Sequence, residues 1–271
     1  MKKTIALAAA LLLGVPPTLT FAQDATEAEF EKFRAEMEDS NPAELFEMKG
    51  EELWKEKRGP KNVSLAESCD LGQGVGVIKG AYVAMPRYFA DADAVMDAER
   101  RIVWCMVEKQ GFKFADIAKK PFQGANDNSA PDITNLVTYV AAGSKGMVIA
   151  VPLNDPKVQE AYQLGQAITR YRAGPYDFSC NTCHGSEGKR IRMQNLPNIS
   201  TGKGAIKGVQ GWPGYRMTGG VMLTHQWRMN DCFRQQRFPE PKYASEVVTD
   251  LLTYMIGNAN GQVYNGPGIK R

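Results

Sequence analysis

The chain has 271 residues, with 33 lysines and arginines against 30 aspartates and glutamates, for a formal net charge of +3. So small a basic excess points away from nucleic acid as a partner. No apolar run after the first residues approaches the ~20 needed to span a membrane, and the length suffices for two domains of ordinary size.

Lys2 and Lys3 precede a short apolar run from Ile5 to Leu13, and Thr20-Phe21-Ala22 places small residues ahead of Gln23. Residues 1–22 are predicted to be a secretory signal peptide, too short for a span. Removing its two lysines lowers the balance to +1. The predicted compartment is the bacterial periplasm, where disulfides are permitted. Thr26 to Met48 alternates acidic and apolar residues at helical spacing, with Asn41 as a candidate N-cap and Pro42 at the first position of a second helix. Residues 23–56 are thus predicted to form a helical arm, bounded by Lys57-Arg58-Gly59-Pro60.

Beyond that boundary the chain goes round twice. Arg101-Ile102-Val103-Trp104-Cys105 is answered by Arg228-Met229-Asn230-Asp231-Cys232. Thr134-Asn135-Leu136-Val137-Thr138-Tyr139 is answered by Thr249-Asp250-Leu251-Leu252-Thr253-Tyr254. Repeated phrases in one order argue for internal duplication. Residues 57–152 and 153–271 are the expected halves. Helices are expected over Ala90–Gln110 and Pro156–Tyr171, a short strand pair around Gly146–Val151, and a long loop over Gly185–Pro213. The class is mainly α.

The second half holds Cys180-Asn181-Thr182-Cys183-His184, the attachment pattern of a c-type haem. Cys180 and Cys183 would form the thioethers and His184 would ligate the iron. A zinc site or a redox dithiol fits less well: the chain has only 2 histidines, and no βαβ context surrounds the motif. In the first half, Cys69-Asp70-Leu71-Gly72-Gln73-Gly74 lies against this motif with Gly72 and Gln73 in place of the second cysteine and the histidine. That half is expected to have lost its haem, with Cys69 and Cys105 joined by a disulfide across the old pocket. Of 5 cysteines, Cys232 is then the odd one. The sixth ligand could be His225, Met217, Met222, Met229, Cys232 or water; the cysteine count favours Cys232. Arg228, four residues earlier, shares its helix face, with Arg234 and Arg237 close in sequence. Such guanidiniums suit an oxyanion such as thiosulfate, or a haem propionate.

The motif Cys180 to Gly185, the segment Gly211-Trp212-Pro213-Gly214-Tyr215-Arg216, Arg228-x-x-x-Cys232 and the duplicated half together resemble the SoxA family. These are the catalytic subunits of the SoxAX cytochrome complexes of bacterial sulfur oxidation. The resemblance covers essentially all of residues 23–271. It implies two tandem cytochrome c-like domains, the first without haem, behind the N-terminal arm. It implies an L-cysteine S-thiosulfotransferase that joins thiosulfate oxidatively to a cysteine of the SoxY subunit of the SoxYZ carrier. Two electrons would pass to cytochrome c, with a small SoxX-like haem subunit as heterodimer partner. On this resemblance Cys232 is the catalytic residue and distal ligand, Arg228 binds substrate, and one covalent haem c has His184/Cys232 axial ligation. Gly72 and Gln73 depart from the two-haem members and point to the single-haem branch. A non-catalytic electron-transfer cytochrome, or a thiosulfate dehydrogenase forming tetrathionate, are the alternatives.

Overall fold

The structure is a computed structural model that describes residues 19–117, 132–191 and 194–270. The signal-peptide expectation rests mainly on residues 1–18, outside the described residues. Two compact units are present, Met1–Asn41 and Pro42–Arg271. The first holds helix α1 (Leu19–Glu36) and a 3-10 turn over Glu38–Ser40. Exposed ion pairs Lys32–Glu36 and Arg34–Glu31 run along α1 at helical spacing.

The second unit starts with α2 (Ala43–Lys55), with Pro42 at its N-cap. The helix thus begins one residue later than expected from an Asn41 cap, within the usual spread of helix ends. Then come the one-turn α3 (Leu65–Ser68), a hairpin of β1 (Arg87–Phe89) and β2 (Ala94–Met96), α4 (Ala98–Glu108), the short α5 (Phe114–Ile117) and α6 (Asp132–Ala142). The chain continues through α7 (Pro156–Arg170), α8 (Cys180–His184), β3 (Arg190–Ile191) paired with β4 (Gln194–Asn195), and α9 (Gly202–Val209). Last are β5 (Gly214–Arg216), β6 (Val221–Leu223), α10 (His225–Gln235), α11 (Glu246–Asn258) and β7 (Gly268–Lys270). β5 lies between β6, antiparallel, and β7, parallel. Around Gly146–Val151 there is an isolated bridge, Val148 to Val263, where a strand pair was expected. Among the described residues no helix is long and apolar enough to cross a membrane.

Backbone features recur at a constant offset along the second unit. α2 lies along α6, and α7 along α11. Gly50 lets α2 meet the Asn135 carbonyl and Tyr139; Gly165 lets α7 meet the Asp250 carbonyl and Tyr254. At the same constant offset, bridge Arg58–Val63 matches Ala173–Phe178, and positive-φ Gly59 and Asn62 match Gly174 and Asp177. Each bridge leads to a serine capping box, Ser64 with Glu67 and Ser179 with Thr182. α2, counted with the arm in the sequence reading, therefore packs within the second unit as the counterpart of α7.

This backbone register corrects the alignment of the two cysteine motifs. Ser64 lies against Ser179, so Leu65 and Ser68 stand where Cys180 and Cys183 stand, and Cys69 stands where His184 stands. The sequence match had set Cys69 against Cys180, because like residues were paired while the repeated object is the capped turn. A disulfide joins Cys69, just past α3, to Cys105 on α4, and both residues are fully buried. Hairpin β1–β2 and α4 repeat as β5–β6 and α10 at a second constant offset, the longer loop after α8 making the difference.

The apolar core is built largely by α4, α6 and α11, with Ile102, Leu136, Val140, Val248 and Leu252 almost wholly buried. A polar seam crosses it. Asp97 caps α4 by accepting from Arg100 N and also accepts both contacts of the Gln226 amide and the Thr249 hydroxyl. Gln226 N donates to Glu99. Burial, with Asp97 beside it, pushes the Glu99 carboxyl well above its ordinary value. The first turn of α10 is thereby fastened to the first turn of α4.

Candidate functional site

Two short elements build the site, α8 and α10. The chain leaves α7, turns through the Ala173–Phe178 bridge, and enters α8 with Thr182 Oγ1 accepting from Ser179 N at 3.0 Å. One helical turn sets Cys180, Cys183 and His184 at i, i+3 and i+4, which share a face. His184 Nδ1 lies 2.8 Å from the Pro197 carbonyl. A carbonyl can only accept, so Nδ1 carries the proton and Nε2 keeps its lone pair for a metal. Burial lowers the His184 pKa; the Pro197 contact opposes this and Arg228 adds to it.

α10 starts at Thr224, whose hydroxyl accepts from Trp227 N. Arg228 and Cys232 are one turn apart on it. The Cys180, Cys183 and Cys232 thiols are free and partly buried. Burial and then the neighbouring Cys232 push the Cys180 thiol up to about 11. Burial also raises Cys232; Arg228 draws it down, while Asp231 and Cys183 raise it further. These mutual effects bring the two thiols of α8, His184, Arg228 and Cys232 into one neighbourhood.

The other sixth-ligand candidates have other surroundings. His225 is buried, stacked on Trp212 at 6.0 Å, and its pKa is pushed down to about 3, chiefly by burial. Met222 is fully buried in the core, Met217 is exposed, and Met229 packs against the core.

The arginines also sort themselves. Asp231, 4% exposed, accepts from Arg228 Nη1 at 2.9 Å, Arg234 Nη2 at 2.5 Å and Gln235 Nε2 at 2.7 Å. Arg216 Nη1, from β5, stands 3.9 Å from the same carboxylate. Arg237, grouped with Arg228 in the sequence reading, instead lies over the Tyr176 ring at 5.8 Å. Asp231 and Arg216 were not singled out as site residues from sequence. No periodicity ties a strand residue to a helix fifteen positions on, and an aspartate beside a cysteine has no motif.

The donor set fits a c-type haem: two free thiols and an imidazole of fixed tautomer on one face of a capped turn, with a further thiol on α10 near enough to raise the Cys180 thiol.

Comparison with known proteins bears on this geometry. The family model described as the SoxA/TsdA cytochrome c domain matches residues 49–149. The chain is 45% identical to the L-cysteine S-thiosulfotransferase subunit SoxA of Hydrogenophilus thermoluteolus, over 100% of both chains. It is 32% identical to the subunit of that name from Hydrogenobacter thermophilus, over 84% of this chain and 83% of that one. Among solved structures it resembles SoxXA from P. pantotrophus, with a TM-score of 0.70 at 24% identity, covering 89% of this chain and 84% of that one. That likeness identifies the fold as the cytochrome c-type fold of that structure.

Proposed function

The chain belongs to the SoxA family, and from that premise we propose that it is a periplasmic L-cysteine S-thiosulfotransferase acting with a SoxX-like cytochrome subunit and a SoxYZ carrier. The observation that carries the reading is the pair Arg228 and Cys232 one turn apart on α10, close enough to the thiols and imidazole of α8 to perturb them. An electron carrier needs only the α8 residues and any distal ligand. A guanidinium beside a reactive thiol suits an anionic sulfur substrate.

Cys180 and Cys183 would hold one haem c covalently, and His184 and Cys232 would ligate its iron. When bound, that group supplies one-electron acceptance next to Cys232. The protein's residues do the rest. Arg228 holds the sulfonate oxygens and favours the Cys232 thiolate. The terminal sulfur of thiosulfate bonds to Cys232 Sγ as two electrons leave for cytochrome c. The carrier's thiolate then attacks that terminal sulfur, the bond to Cys232 breaks, and Cys232 leaves as thiolate. The carrier keeps an S-thiosulfonate; overall one thiol proton and two electrons are released.

The two halves are read as tandem cytochrome c-like domains, the first without haem. Leu65 and Ser68, matching Cys180 and Cys183, support this, as do Cys69 and Cys105, matching His184 and Cys232 and bonded to each other.

The test mixes holoprotein, its small cytochrome partner, carrier, thiosulfate and oxidised cytochrome c. Mass spectrometry of the carrier should show one thiosulfonate per carrier cysteine, in step with two electrons delivered. Tetrathionate formation without carrier labelling would favour the dehydrogenase reading. Neither product would leave an electron carrier.

A further inference from the structure

We propose that Asp231 is the positioning residue of a two-arginine anion site, holding Arg228 and Arg216 together beside Cys232 to seat the sulfonate end of thiosulfate. The proposal rests on the functional reading above and adds two residues to it.

A carboxylate here works against the chemistry on simple electrostatic grounds. It repels a dianionic substrate, and it disfavours the Cys232 thiolate one residue away. Its contacts show what offsets that cost. Three guanidiniums from two elements converge on one buried carboxylate, Arg228 and Arg234 from α10 and Arg216 from β5. Unscreened by Asp231, they would repel one another and splay toward solvent. With it, they hold together and keep a net +2, which matches the charge of thiosulfate. The contacts to Asp231 use one nitrogen of each guanidinium, and a guanidinium carries five N–H donors. The Arg228 and Arg216 side chains are 28% and 31% exposed, so they open to solvent from a partly enclosed position. Arg234, at 63%, belongs to the outer rim.

The first half of the chain supplies an internal control. In the backbone register Arg101 matches Arg228, Phe89 matches Arg216, and Trp104 matches Asp231. There the arginine lies between the two rings, 4.0 Å from Phe89 and 4.3 Å from Trp104. Both terminal nitrogens go to Asp91 and Nε goes to the Asp70 carbonyl. Arg101 is 1% exposed and spent on structure. The same scaffold with aromatic flanks seals an arginine in. With Arg216 and Asp231 as flanks it leaves the arginine charged, paired and reachable. The halves differ at the two residues that the proposal assigns and at Asp91, whose place is taken by Thr218 in the second half.

The test measures thiosulfate binding to holoprotein by calorimetry, and KM and kcat for carrier conjugation in the assembled complex. Asp231→Asn removes an adverse negative charge, so a purely electrostatic role would tighten thiosulfate binding. A positioning role gives the opposite sign: binding weaker by about tenfold or more, the scale of one lost charge-assisted contact, with KM rising more than kcat falls. Asp231→Glu should recover part of the loss. Arg216→Gln should weaken binding similarly, and the double variant Asp231→Asn/Arg216→Gln should be little worse than either single one, because the carboxylate acts through the arginines. Unchanged or tighter binding in Asp231→Asn overturns the proposal, as does unchanged binding in Arg216→Gln. If Asp231→Asn does not fold, Arg216→Gln, at a partly exposed strand end, decides alone. Wild type that binds thiosulfate but never labels carrier sinks the transferase reading and leaves the anion site standing. No binding to wild type overturns the site itself.

Discussion

Cys232 and Arg228 are most informative beside their partners in the other half, Cys105 and Arg101. One cysteine is bonded to Cys69 and buried; the other is a free thiol beside a reachable guanidinium. One arginine is sealed between rings; the other shares a carboxylate and faces outward. Arg228→Ala is therefore expected to raise the thiosulfate KM by about tenfold to a hundredfold, the cost of a lost charged hydrogen bond, while covalent haem content stays at the wild-type level. Pigment loss in step with activity would instead tie Arg228 to haem retention. A second residue, Asp250 on α11, carries a pH signature. Burial, then the charge of Glu246, raises its carboxyl from 3.8 to about 6. The folded protein then holds that proton more tightly than the unfolded chain. Stability falls as pH rises between those values, and the cost is complete above about 6. Asp250→Asn, which copies Asn135 of the first half, is expected to raise Tm at about pH 8 and to leave it nearly unchanged at about pH 3. An equal shift at both pH values would rule out the charge as its cause.

At the scale of elements, two close-packed helix pairs frame everything else. A Cβ at Gly50 would run into the Asn135 carbonyl, and one at Gly165 into the Asp250 carbonyl. Gly50→Ala and Gly165→Ala should each cost about 1–3 kcal/mol by forcing the pairs apart, read as a shifted denaturation midpoint. Gly165→Ala should also disturb haem attachment, since α7 leads through the Ala173–Phe178 bridge into α8. Much of this level was legible in the sequence. The Thr-x-Leu-x-Thr-Tyr phrases, Thr134 to Tyr139 and Thr249 to Tyr254, do lie in helices, α6 and α11, because a buried helix face fixes both residue type and spacing. The pattern Cys180 to His184 stands out in the sequence because covalent attachment of a haem would dictate those residues. The register of the first motif was not legible. Its fixed object is the turn from Gly59 through the Ser64 cap, which depends on backbone conformation, so a lone cysteine at 69 matched the wrong partner. The Asp231 cluster was hidden for a related reason: Arg216 reaches it only because β5 is held between β6 and β7.

Across the whole second unit, the half bearing Cys69 and Cys105 reads as a support for the half bearing Cys232. Asp97 and Glu99 at the start of α4 grip Gln226 at the start of α10, two residues before Arg228. The disulfide closes a loop of 36 residues in the supporting half and so constrains its unfolded chain. Replacing both cysteines by serine is expected to lower its stability by about 2–4 kcal/mol without loss of covalent haem, since the proposed anchors are Cys180 and Cys183. Loss of haem with the disulfide would mean that the halves fold as one. The proposed division of labour assigns sulfur chemistry to a single atom, Cys232 Sγ, and this can be read directly. Holoprotein is incubated with thiosulfate and oxidised cytochrome c without carrier, and its peptides are mapped by mass spectrometry under non-reducing conditions. A thiosulfonate adduct on the Cys232 peptide, lost when carrier is added and then found on the carrier, is the expected result. Carrier labelled at the wild-type rate with Cys232 unmodified, or by a Cys232→Ser variant, would contradict it.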